Sequence, residues 1–178
     1  TVVGYKLYVD LVKDIIGDKQ VVATAMRKEI ERVELAIQEA LSGKIVSIIS
    51  SGDPGVYGMA GLVLEVVSKE NIDLPIEIIS GIPAANAAAA VLGAPLMHDY
   101  AVISLSDLLT PWETIERRVK CAAEADFVIV LYNPKSSQRD WQIEKTAHIV
   151  LQHKSPSTPV GIVKDASRED ESVIITTL

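Results

Sequence analysis

The chain has 178 residues with 48% apolar side chains, which supplies a real hydrophobic core and excludes a disordered segment. Aromatics make up only 4%, so that core is built from Val, Ile, Leu and Ala, the mixture of an α/β protein. A net charge of −7 argues against a nucleic-acid or membrane-surface partner, and a single cysteine excludes an internal disulfide or a cysteine metal cluster.

In chain order, Val2-Val3 opens in a strand. The segment Met26 to Leu41 reads as a helix, with Met26, Ile30, Val33, Ile37 and Leu41 on one face and charges opposite. Thr24 is its expected N-cap and Gly43 its stop. Strands follow at Ile45 to Ile49 and Ile76 to Ile79. An Ala-rich helix then ends at Gly93, Pro95 follows, and a new strand starts at Tyr100. Thr110-Pro111-Trp112-Glu113 has the signature of a helix start, with Thr110 as cap. Cys121 lies in that helix and is expected to be a small buried apolar residue. Phe127 to Leu131, Val160 to Val163 and Ser172 to Leu178 complete the strands. The chain starts and stops inside strands, so it reads as the larger part of a longer protein. No apolar run reaches the roughly 18 residues of a membrane span.

Alternation of strands and helices implies parallel strands with crossover helices. The expected boundary lies between Gly93 and Asp99, giving α/β domains over 1–97 and 98–178 with a cleft between them. Ligands of such sheets sit at the carboxyl ends of strands.

Three loops leave strand ends with the composition of binding turns. Ser50-Ser51-Gly52-Asp53-Pro54-Gly55-Val56-Tyr57-Gly58 combines glycines that allow close backbone approach with a stiffening Pro54. Asp53 can accept from a hydroxyl or meet an ammonium, or cap the helix that follows. The spacing GxxGxxG is not a dinucleotide fingerprint, and no Gly-Lys-Ser/Thr completes a phosphate loop. Ser80-Gly81-Ile82-Pro83-Ala84-Ala85 leaves room for a flat group against the backbone. Leu131-Tyr132-Asn133-Pro134-Lys135-Ser136-Ser137-Gln138-Arg139 crowds two cations with hydroxyls and amides, which suits carboxylates. His98 and Asp99, with Ser104 and Asp107 beyond them, bring titratable groups to the expected cleft. His148 and His153 lack the carboxylate arrangement of a metal site, and no metal is expected.

Together these loops resemble the tetrapyrrole methylase family. Gly52-Asp53-Pro54 matches the family's GDP loop, and Gly81-Ile82-Pro83-Ala84-Ala85 its second strand-to-helix signature. Val3-Gly4-Tyr5 and Tyr8 resemble the stretch after its first, glycine-rich loop, which this chain lacks along with the strand before it. Three blocks resemble the branch that methylates carbon 17 of precorrin-3B or cobalt-factor III: Gly93 to Asp99, Ile103 to Trp112, and Leu131 to Ser136.

The resemblance implies an S-adenosylmethionine-dependent C-methyltransferase of cobalamin biosynthesis, releasing S-adenosylhomocysteine, with ring contraction coupled to the transfer. It implies cofactor contacts at Gly52, Asp53, Val56, Pro83, Ala84, Asn133 and Ala166. Pro83 stands where the family usually has Ser or Thr. Ser104, Lys135 and Arg139 are the expected substrate contacts, and His98, Asp99 and Asp107 the candidates for proton movement. A cytoplasmic homodimer is expected. Another branch of the family, including one like diphthine synthase, and a non-catalytic nucleotide-binding module are the alternatives.

Overall fold

The computed structural model describes residues 1–136 and 139–178. The chain divides into two compact units, Thr1–Pro83 and Ala84–Leu178.

The first unit is a parallel three-stranded sheet with helical crossovers. β1 (Val2–Tyr5) lies between β2 (Val21–Thr24) and β3 (Ser47–Ile49), with Tyr5 opposite Thr24 and Gly4 opposite Ile49. α1 (Lys6–Leu11) and α2 (Lys13–Ile16) connect β1 to β2; α3 (Glu29–Leu41) connects β2 to β3; α4 (Ala60–Lys69) follows β3. Val2, Val9 and Ile16 form a buried cluster, and Val3 and Val33 are fully buried. Gly4 is required by this packing, since a Cβ there would fall 2.5 Å from Ile49 Cγ1.

The second unit opens with α5 (Ala84–Val91). β4 (Tyr100–Ser104) and β5 (Val128–Tyr132) pair in parallel through α6 (Trp112–Glu124), with Ser104 opposite Tyr132. α7 (Trp141–Val150) leads to β6 (Pro159–Lys164) and β7 (Ser172–Thr177). The core joins Ile103 and Leu105 to Ile115 and Val119 of α6 and to Ile149 and Val150 of α7. Trp112 and Trp141 meet edge to face, with centroids 4.8 Å apart.

Several expectations change. The division falls at Pro83–Ala84, ahead of Gly93, because α5 belongs with the second unit: Ala85 bonds to Tyr132, and Leu92 packs on Gly161. β6 and β7 form an antiparallel pair, so the parallel rule holds only for the other strands. Ile76 to Ile79 forms no strand, because no neighbouring backbone pairs with it among the described residues, and a ladder needs a partner. α3 starts at Glu29, since the left-handed turn at Arg27 (φ 64°) interrupts a helical path from Met26. Val33 and Ile37 are buried as expected, whereas Met26, Ile30 and Leu41 are exposed. Thr24 ends β2 and caps nothing; its hydroxyl accepts from Arg32. Pro111, not Thr110, is the N-cap of α6. Cys121 is exposed, because α6 turns Ile115, Val119, Ala122 and Ala123 inward and leaves it off that stripe.

Candidate functional site

The loop from β3 to α4 is built by one carboxylate and one carbonyl. Asp53 Oδ1 accepts the Gly55 amide at 2.7 Å, and Oδ2 accepts the Gly81 amide at 2.9 Å. The carbonyl of Asp53 accepts from Val56 N at 3.2 Å, and that of Pro54 from Ala60 N at 3.0 Å. The turn leaves no room at Gly58, where a Cβ would lie 2.5 Å from the Pro54 carbonyl oxygen. Gly52 (φ 72°) and Tyr57 (φ 53°) take left-handed backbone, a conformation that costs a side-chain-bearing residue energy and gathers at binding turns. Asp53 is thus neither a helix cap nor a side chain held out to solvent. It ties the GDP turn to the Gly81 turn, which approaches so closely that a Cβ on Gly81 would overlap the Gly52 carbonyl. The donated amides, Gly81 first and Gly55 next, hold its carboxyl below the usual carboxylate range against a smaller opposing effect of burial.

Between α1 and these turns lies a cavity of about 410 Å³, lined by Tyr8, Leu11, Ile49, Ser51, Gly52 and Gly81 among others.

In the second unit the expected residues gather at the carboxyl ends of β4 and β5. Asn133, in left-handed backbone (φ 52°), donates from Nδ2 to Ser104 Oγ at 3.0 Å, and Ser104 Oγ also accepts from Ser106 N at 3.2 Å. Arg139 Nη1 donates to the carbonyls of Leu105 and Asn133, each at 3.4 Å, so this cation also braces the loop. Lys135 is exposed; Ser137 and Gln138 lie outside the described residues. Tyr132 accepts the Ala85 amide at 2.9 Å, joining the first turn of α5, where Ala84 sits, to the end of β5. Asp107 is half-buried, and its Oδ2 accepts from the buried Gln142 amide at 3.0 Å. Ala166 lies beyond β6, between Asp165 (φ 52°) and Ser167 (φ 63°).

Two expected residues are not brought to this end. His98 and Asp99 precede Tyr100 and are exposed at the amino end of β4, whose length from Tyr100 to Ser104 is roughly 13 Å. Chain direction alone sets this, since residues that precede a strand lie at its amino end. Conversely, Arg32 and Gln142 brace the turns without having been singled out in the sequence, and Tyr132 was read there only as part of its loop. Arg32 was hidden because hydropathy assigns it to the charged face of α3. Among the described residues, no three His, Cys, Asp or Glu side chains gather as a metal-holding group, and no helix is long and apolar enough to cross a membrane.

The sequence profile of the Tetrapyrrole (Corrin/Porphyrin) Methylases matches residues 1–178. The chain belongs to that family. A relative from Salmonella typhimurium, named probable cobalt-factor III C(17)-methyltransferase, is 55% identical over 99% of this chain and 73% of its own length. The cobalt-factor III methyltransferase of Priestia megaterium is 50% identical over 99% of this chain, which spans 34% of that longer protein. The crystal structure of the methyltransferase CobJ superposes with a TM-score of 0.90 at 34% identity, covering 99% of this chain and 74% of that one. The α/β fold is therefore that of the tetrapyrrole methylases.

Proposed function

We propose that this chain is an S-adenosylmethionine-dependent methyltransferase of cobalamin biosynthesis that methylates carbon 17 of a corrin precursor, with cobalt-factor III as substrate. The observation that carries the reading is the pair of tied turns, Asp53 to Gly81 and Tyr132 to Ala85. Each presents small-residue backbone within its own unit, in a chain 55% identical to a relative named for that reaction. The turns suit a nucleoside without phosphate groups better than a nucleotide, since they carry no lysine of a phosphate loop.

The donor, when bound, supplies a methyl group already activated on a sulfonium. The residues of the chain therefore bind, orient and exclude water, and positioning is the main part of catalysis. In this proposal the backbone at Gly52 and Asp53, with Val56, Pro83, Ala84, Asn133 and Ala166, holds the donor. Asp53 shapes the turn through its two amide bonds and contributes contacts through its backbone. Pro83 offers no hydroxyl, so the adjoining turn contributes shape and backbone alone. Ser104, Lys135 and Arg139 meet the substrate's carboxylate arms. Ring contraction needs a proton moved, and Asp107 is assigned that role, its carboxylate oriented by Gln142. His98 and Asp99 are left out because of their place on β4. The reading extends to a cytoplasmic homodimer; sedimentation of the purified protein tests the dimer, and fractionation of cells that express it tests the location.

The deciding experiment incubates the protein with S-adenosylmethionine and cobalt-factor III and follows products by mass spectrometry. One added methyl per turnover and stoichiometric S-adenosylhomocysteine are expected, with slower conversion of cobalt-free precorrin-3B. Binding of the cofactor without methyl transfer to either corrin would reject the assignment.

A further inference from the structure

Arg32 is 4% exposed, yet its guanidinium makes no salt bridge among the described residues. Arginine stays charged at any working pH, and a buried charge without a counter-ion is costly unless its N–H groups are used. Nε donates to Thr24 Oγ1 at 2.7 Å, Nη2 to the Ala25 carbonyl at 3.1 Å, and Nη1 approaches Met59 Sδ at 3.6 Å. One planar fork thus grips the carboxyl end of β2, the residue after it, and the N-cap of α4. An apolar side chain of similar length would fill the space without the desolvation cost. It would lack three donors at fixed angles.

We infer that Arg32 is a positioning residue for the GDP turn, acting through Met59; this rests on the reading of that turn as the donor-binding loop. The path is covalent and hydrogen-bonded throughout. Met59 adjoins Ala60, whose amide is bound to the Pro54 carbonyl, and Pro54 adjoins Asp53, whose carboxylate holds Gly55 and Gly81. Fixing Met59 against β2 therefore fixes one end of the turn, while the pairing of β3 with β1 fixes the other. Lysine keeps the charge but has no fork, so it replaces only part of the grip.

The test compares the wild-type chain with Arg32→Met and Arg32→Lys. In the ligand-free protein, amide hydrogen exchange at Gly55, Val56 and Gly81 is expected to rise about tenfold in Arg32→Met and less in Arg32→Lys. Calorimetry with S-adenosylhomocysteine is expected to show an affinity about tenfold weaker in Arg32→Met, partly recovered in Arg32→Lys. A folded Arg32→Met variant with unchanged exchange at those three amides overturns the inference, even if its melting temperature falls. Should Arg32→Met not fold, Thr24→Val removes the Nε acceptor alone, and the same exchange measurement decides. Failure of the wild-type chain to bind S-adenosylhomocysteine would reject the donor reading, while the exchange result still judges the bracket.

Discussion

Asp53 concentrates the site's local design in a single side chain. Each carboxylate oxygen holds a backbone amide from a different turn, and these bonds lower its pKa. A carboxylate whose folded pKa is depressed adds stability above its ordinary pKa of about 4, and that stability is lost as the pH falls through the lower folded value. The geometry of the turns is thus expected to be constant through neutral pH and to fail only in acid. Asp53→Asn keeps one acceptor but turns an amide donor toward a backbone N–H. S-Adenosylhomocysteine affinity in that variant is expected to drop about tenfold at pH 7, the scale of a lost charge-assisted bond, as read by calorimetry. Gly81→Ala is expected to be at least as damaging, since its Cβ overlaps the Gly52 carbonyl, a backbone atom that cannot rotate away. An Asp53→Asn protein with wild-type affinity would show that the turn keeps its shape without the carboxylate.

At the scale of elements, the Tyr132 hydroxyl ties the end of β5 to the first turn of α5. Tyr132→Phe removes the acceptor of the Ala85 amide and is expected to cost about 1 kcal/mol of unfolding free energy in denaturant titration. Gly4→Ala, in the middle of β1, forces a methyl onto Ile49 and Val9 and is expected to cost roughly 1–3 kcal/mol by overpacking. The turns after β3 and at Gly81 were legible in the sequence because glycine and proline impose turn geometry locally, and so were β4 and the glycine that follows α5. The fate of Ile76 to Ile79 was not, because composition marks strand propensity while pairing depends on a neighbour. The same limit applies to β6 and β7, whose β-branched runs say nothing of direction. His98 and Asp99 precede Tyr100, so the start of β4 by itself places them at its amino end, away from Ser104. Arg32 escaped notice because helical periodicity ranks side chains by polarity, and a buried cation held by Thr24, Ala25 and Met59 breaks that ranking.

For the whole molecule, the net charge of −7 opposes a substrate that carries several carboxylates, so recognition has to be local. The two cations beyond β5 differ in how they are held. Arg139 braces the Asn133 carbonyl, whereas Lys135 is exposed. Their truncations are therefore expected to separate. Lys135→Ala should raise the corrin KM several-fold, in line with about 1 kcal/mol for an exposed ion pair, and leave S-adenosylhomocysteine affinity unchanged. Arg139→Ala should weaken both, because loosening Asn133 disturbs the proposed donor contacts as well. Salt provides an independent reading. At about 0.15 M the Debye length is ~8 Å, so distant carboxylates are screened more strongly than a contact pair. With Lys135 removed, repulsion weighs more in the encounter, and the variant's corrin KM is expected to fall as salt rises from about 20 mM to about 150 mM, more steeply than in the wild type. Equal salt slopes for the two proteins would show that Lys135 does not face the substrate, and the anionic arms would then have to be met elsewhere.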